Sequence, residues 1–276
     1  LNMSLNTTGE NLMSEDQIVV QLNPDVPPTG SDLGVVNAAR RSFGKRSELD
    51  PDGSLKPADK RLLEFLARGM TADDFEGFKY QMVTPCQDIA LQDKSLVESL
   101  WKWRNTPTHE APFGHAFLSF ELKVPLFLAR QLVKHKFLRW SEFSRRYITD
   151  DVEFYKHTYR VAAENKKQGS GGAHPTWNHG VGTGYMEVVS DHYTDSVDLY
   201  NRMVFDGVSP EQARGVLPAD LMTSATWSGS LDAFANMCRL RLGSDAQREA
   251  QVVAGMVYSH LEEHFPISAR SLVYGC

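Results

Sequence analysis

Apolar positions along the chain recur with two periods, and the switches between them mark its elements. Gln17 to Leu22 is rich in β-forming residues and predicts a first strand. Ser31-Asp32 caps a predicted helix that runs through Arg40, with Leu33, Val35, Val36 and Ala39 among its apolar positions. Asp59 to Ala67 predicts a second helix, stopped by Gly69. Leu91 to Trp103 predicts another, with Leu96, Val97, Leu100 and Trp101 on one side. Ala116 to Lys123 alternates, setting Ala116, Leu118, Phe120 and Leu122 against Phe117, Ser119 and Glu121, the pattern of a half-buried strand. Pro125 suits a helix's first turn, and Leu126 to Val133 continues it. Gly184 to Phe205 predicts a long helix, Ser209-Pro210 opens one through Arg214, and Thr223 to Trp227 reads as a short strand. Ser230 caps a helix to Leu242, and Ser244 caps a last long helix to about His264. Residues 1–15 read as a flexible lead-in, 44–60 as a loop and 166–184 as a mobile, glycine-rich loop or insert, while 70–91 show no period. No internal repeat appears. The sum is a helix-rich α+β chain with few strands.

Composition narrows the classes. A chain of 276 residues holds one large domain or two small ones. Its 41% hydrophobic and 23% charged content is ordinary for a soluble globular protein. A net charge of -6 argues against a nucleic-acid partner and confines any anion site to a local patch. No apolar run reaches membrane-spanning length. Leu1 to Asp16 is polar, with no basic start or apolar core, and does not read as a signal peptide. Cys86, Cys238 and Cys276 form neither a paired framework nor a metal spacing, so a reducing cytoplasm is the expected compartment.

The local patch is Lys134-His135-Lys136-Phe137-Leu138-Arg139-Trp140-Ser141-Glu142-Phe143-Ser144-Arg145-Arg146-Tyr147. Such cation density is costly unless something anionic sits against it. Arg offers phosphate or carboxylate a planar fork of donors, and Lys a point charge. A solvated basic loop is the plain alternative. The spacing resembles the signature of the flavin-dependent thymidylate synthases (ThyX): a basic-His-basic triplet, seven residues, then Ser, with Glu two before it and Arg-Tyr after. Both arginines of the family's triplet are lysines here.

Three further stretches carry the same resemblance. Asn37-Ala38-Ala39-Arg40-Arg41-Ser42-Phe43 is similar to the family's Ala-Ala-Arg-x-Ser element. His109-Glu110-Ala111-Pro112-Phe113-Gly114-His115 is similar to His-x-[Ser/Thr]-Pro-Phe-Glu-His, with Ala111 at the Ser/Thr position and Gly114 at the Glu position. Two histidines and a glutamate also invite a metal reading, but the helical metalloprotease spacing is absent and Pro112 interrupts a helix. No metal is expected. Ala213-Arg214 to Pro218, Asn236 to Arg241 and Ala246-Gln247 with Glu249 complete the match.

The resemblance implies one catalytic domain over 16–276, with inserted loops near 44–60, 70–107 and 166–184, and a homotetramer whose sites lie at subunit interfaces. It implies FAD as cofactor, with NADPH and methylenetetrahydrofolate as co-substrates, and reductive methylation of deoxyuridylate without an enzyme nucleophile. Substrate binding falls to Gln131, Glu142, Ser144, Arg145, Arg146, Arg214 and Arg241, of which Arg241 and Ser144 are the catalytic candidates. Cofactor binding falls to Ser42, His109, Lys134, His135, Lys136, Phe137, Glu142, Ser230 and Asn236. The departures gather on the flavin side: the two lysines, Ala111, Gly114, Asp245 where the family has His, and Ser230-Leu231-Asp232 where it has Asn-x-Arg. They keep open a different C5 modification, such as hydroxymethylation, or a nucleotide-binding protein without catalysis.

Overall fold

The computed structural model describes residues 14–69, 108–144, 152–163, 170–175, 177 and 185–275. In chain order its elements are β1 (Val19–Leu22), α1 (Asp32–Arg41), α2 (Pro57–Arg68), β2 (Phe117–Pro125), α3 (Leu126–Leu132), β3 (Arg139–Glu142), β4 (Arg160–Ala162) and β5 (Ser170–Ala173). There follow α4 (Tyr185–Phe205), α5 (Pro210–Ala213), β6 (Met222–Ser230), α6 (Leu231–Arg241), α7 (Arg248–His264) and α8 (Pro266–Val273). This is the expected helix-rich α+β class with a small sheet. The chain divides into two compact units. The first comprises Leu1–Asn23, Phe120–Ser228 and Arg241–Met256, and the second Pro24–Ser119, Gly229–Leu240 and Val257–Cys276.

The first unit is organised by a sheet of order β1-β2-β6-β3. β1 runs antiparallel to β2 with Val20 opposite Leu122, and β3 antiparallel to β6 with Trp140 opposite Trp227. Period-two alternation buries Phe120, Leu122 and Val124 of β2 and leaves Glu121 and Lys123 half-exposed. In α3 the buried side chains are Leu128, Ala129 and Leu132, one helical stripe. A separate cluster of Val152, Phe154, Tyr193, Val197, Tyr200, Ala213 and Leu221 packs α4 against the segment that leads into β6. Beside it, Asp220 takes hydrogen bonds from the His157 ring and the Tyr193 hydroxyl, each 2.9 Å long. Burial pushes the Asp220 carboxyl up, but those bonds outweigh it and hold it below the usual range.

In the second unit α8 packs on α2 and α1. Ser31 caps α1 by accepting the Gly34 N–H at 3.1 Å, as its position predicts. Phe265, at the start of α8, has no capping side chain. The buried Asp32 carboxylate supplies the cap from a distance, accepting the Ile267 and Ser268 N–H groups at 2.9 and 3.1 Å. Gly69 closes α2 with φ +71, the left-handed conformation that glycine adopts at little cost.

Several boundaries differ from the sequence pattern. β1 begins at Val19, because Ser14–Gln17 forms a 3-10 turn. The Gln17 side chain instead pairs with the Lys156 backbone, accepting its N–H at 3.0 Å and donating to its C=O at 3.3 Å. α2 begins at Pro57, inside the stretch read as loop, since proline suits a first helical position. The second half of the basic patch is not loop: Arg139–Glu142 is β3, held by its register with β6. Ser170–Ala173 of the glycine-rich segment pairs with Arg160–Ala162 as a two-stranded ribbon. β6 extends to nine residues. α7 starts at Arg248 rather than Ser244 and is not the last helix, because Pro266 restarts the chain as α8. The helix expected over Leu91 to Trp103 lies outside the described residues.

Candidate active site

The first unit holds Gln131, Lys134, His135, Lys136, Phe137, Glu142, Ser144, Arg214 and Arg241. α3 ends at Leu132, and a turn closed by the His135 N–H on the Leu132 C=O carries the basic triplet away from it. Arg241 is the last residue of α6, and its Nε donates to His135 Nε2 at 3.1 Å. The pair spans 106 positions in the chain. Burial and the adjacent Arg241 guanidinium hold the His135 pKa down at about 4, so the ring is neutral at physiological pH. With Nε2 accepting, its proton sits on Nδ1. The Arg241 Nη groups make no hydrogen bond to the described residues.

Beneath this pair lies a rigid support. The His135 ring sits 6.4 Å from the indole of Trp227, which is fully buried. Trp140 meets Trp227 edge to face at 5.9 Å. The Trp140 Nε1–H donates to Glu142 Oε2 at 3.0 Å, and the Thr223 hydroxyl donates to Glu142 Oε1 at 3.2 Å. Both carboxylate oxygens are thereby oriented. Glu142 and Phe143 also border an open cleft of about 650 Å3, with Gln21, Glu121, Lys123, Ser224 and Thr226.

Other candidates are placed but not gathered. Gln131 Oε1 on α3 is buried with no hydrogen-bond partner among the described residues. Arg214 is exposed, with Nε donating to the Glu211 C=O at 3.2 Å. Lys134 and Lys136 are exposed and form no ion pair with described residues. Ser144 follows β3 by two residues, while Arg145 and Arg146 lie outside the described residues. In the second unit Ser42 is the exposed C-cap of α1, and the His109 ring stacks on Phe65 at 6.1 Å. Ser230 ends β6, and Asn236 accepts a hydrogen bond from Arg239. Arg40, in the same stretch as Ser42, serves structure: its Nε donates to the buried Asp59 carboxylate at 3.0 Å. Trp227, Trp140 and Thr223 were missed as supports. Trp140 lies within the basic patch, Trp227 in the stretch between Pro218 and Asn236 that resembles the family, and Thr223 opens the strand expected through Trp227, but none of these signals gives them a supporting role.

Phe137 is 81% exposed and has φ +67, a conformation that costs a bulky residue about 1–2 kcal/mol. An aromatic ring held open at that cost suits contact with a planar ligand. Phe137→Gly is expected to raise stability by about 1 kcal/mol in urea unfolding and to weaken flavin binding in a fluorescence titration. Unchanged stability would show that the strain is not felt.

Residues 28–267 match the profile of the thymidylate synthase complementing protein family. The chain belongs to this family. It is 28% identical over 222 residues to the flavin-dependent thymidylate synthase of Thermosipho melanesiensis, covering 79% of this chain and 93% of that one. It is 30% identical over 182 residues to the enzyme of the same description from Thermotoga neapolitana, covering 66% and 76%. Among solved structures it resembles PolB, a UMP/dUMP methylase from Streptomyces cacaoi solved with 5-Br UMP. That likeness has a TM-score of 0.65 at 22% identity, covering 92% of this chain and 93% of that chain, and bears on the fold.

Membership in a flavin-dependent family implies FAD, and the chain's residues can be tested against it. Exposed Phe137 suits a planar ring, and the exposed Lys134 and Lys136 suit its phosphates. Cys238 is fully buried, and burial pushes its thiol well up, so it is no nucleophile. Asp232 does not suit a phosphate. A Cβ placed on Gly114 would lie 3.9 Å from Asp232 Oδ1, which is buried without a hydrogen-bond partner among the described residues. The family pattern has Glu and Arg at these two positions. Here both change together, so two carboxylates never meet. Gly114→Glu is expected to destabilise by about 1–3 kcal/mol, and adding Asp232→Arg should restore most of it. A thermal double-mutant cycle with no coupling would refute the pairing.

Proposed function

We propose that the chain is a flavin-dependent thymidylate synthase, converting deoxyuridylate to thymidylate with methylenetetrahydrofolate and NADPH. The observation that carries this reading is Arg241, bound through Nε to a neutral His135 with its Nη fork unpaired among the described residues. Uracil C5 is a poor nucleophile while N3 keeps its proton. A fixed cation at the O2–N3 edge stabilises the ionised ring and raises electron density at C5. Arg suits this role because it stays charged. C5 bonds to the methylene carbon of the folate, tetrahydrofolate leaves, C5 gives up its proton, and a hydride completes the methyl group. Reduced flavin, when bound, would supply that hydride, and NADPH would reduce the flavin again.

In this reading the unpartnered Gln131 Oε1 accepts a sugar hydroxyl of the nucleotide. Ser144, Arg145, Arg146 and Arg214 take its phosphate, since forked donors match a dianion. Lys134, Lys136, Phe137 and Glu142 hold the flavin, and Ser42, His109, Ser230 and Asn236 of the second unit are the further cofactor positions that the family resemblance implies. The test is mass spectrometry of products formed with FAD, NADPH and methylenetetrahydrofolate from deoxyuridylate, with uridylate in parallel. Thymidylate supports the reading. A hydroxymethyl product replaces it with the altered C5 reaction that the Gly114 and Asp232 changes suggest. Bound nucleotide without product marks a protein that kept the pocket and lost the chemistry.

A further inference from the structure

The motif that contains His135 suggests a cofactor contact, yet the only hydrogen bond of its ring among the described residues is to Arg241. A guanidinium has five N–H donors in one plane. When Nε is taken, the side-on fork of Nε and Nη is lost to any ligand. The end-on fork of the two Nη groups remains, and its direction is set by whatever holds Nε. That anchor is well seated. The imidazole lies against buried Trp227, whose place is fixed by the β3–β6 register and by its edge contact with Trp140. An acceptor on such a base restrains a side chain that otherwise has many rotamers.

We propose that His135 is the positioning residue for Arg241: its Nε2 anchors Nε and presents the two Nη groups end-on to the O2–N3 edge of an ionised pyrimidine. This rests on the functional reading above. It assigns His135 to the nucleotide's electronic state rather than to cofactor affinity. The tautomer is part of the device. A ring protonated on Nε2 has no lone pair to offer, and the positive Arg241 beside it opposes that proton. A misaligned cation still binds the nucleotide but stabilises the ring anion poorly, since small displacements at a charge-stabilising site cost about 100-fold.

The test uses the full-length protein and 5-bromo-deoxyuridylate, whose ultraviolet spectrum distinguishes ionised from neutral base. His135→Gln keeps an acceptor near the Nε2 position, and His135→Leu removes it. The expected result is an ionised-base spectrum on binding to wild type and to H135Q. H135L should bind the nucleotide with the ionised fraction down by about 10- to 100-fold. Thermal unfolding of both variants reports their folding. A bound nucleotide fully ionised on H135L overturns the proposal, as does an H135Q protein that loses the signal as completely as H135L. Wild-type protein that binds no pyrimidine monophosphate overturns the functional reading as well, which separates the two failures.

Discussion

Arg241→Lys is expected to lower turnover of deoxyuridylate by about 10²–10³-fold, the usual loss when a donor aimed at developing charge is removed. The charge is kept, so the effect isolates geometry. An ammonium has no Nε to meet His135 Nε2 at 3.1 Å and no planar fork to span two acceptors. The nucleotide phosphate contacts remain, so kcat should fall far more than KM rises. That split marks an interaction made in the transition state rather than on binding. Steady-state kinetics on the two proteins check it. A loss under about threefold would remove Arg241 from the chemistry.

Arg160→Leu is expected to cost about 3–5 kcal/mol, because it strands a buried charge. Glu249 is 1% exposed, and its carboxylate accepts from Arg160 Nη2 at 2.6 Å and from Gln247 Nε2 at 2.9 Å. Burial pushes the Glu249 carboxyl up, while those hydrogen bonds and the Arg160 charge outweigh it and hold it below its ordinary value. A depressed carboxyl contributes stability that is present above its unfolded pKa and lost as pH falls through the folded one. In the variant burial acts with less opposition, so Glu249 rises and that acid dependence should weaken or reverse. The melting temperature at neutral pH should fall by roughly 6–20 °C. Arg160→Leu with Glu249→Leu should recover most of the loss, since no unpaired charge remains. An unchanged melting temperature in the single variant would show that Glu249 has another partner.

Glu249 also shows how a motif can be legible while its purpose is not. Its place after Ala246-Gln247 helped to carry the resemblance, but the side chain closes a structural pair with Arg160 on β4. Arg40 is a second case, bound to Asp59 rather than to a ligand. Of the lead candidates, Arg241 and Gln131 keep hydrogen-bonding groups without a partner among the described residues, while Asn236 is engaged by Arg239. The Gly114 and Asp232 departures read as separate anomalies in the chain. Their adjacency makes them one change.

Signals that act within a turn or along one strand were open to reading from the residues. Ser31 marks the start of α1, Gly69 the end of α2 and the alternation through Phe120 and Leu122 the strand β2, because caps and periods depend on near neighbours. The spacing of the basic patch and of the Arg241 helix likewise points to the family from the residues alone. Other features depend on residues far apart in the chain. β3 is a strand because β6 lies beside it, α8 is capped by Asp32 from 235 residues away, and His135 is neutral because packing buries it and sets Arg241 against it. Which cation pairs with a carboxylate, which with an imidazole and which faces outward was decided by packing alone. Hydrogen bonds reach only about 3 Å, and the chain order says nothing of which distant atoms will meet at that range.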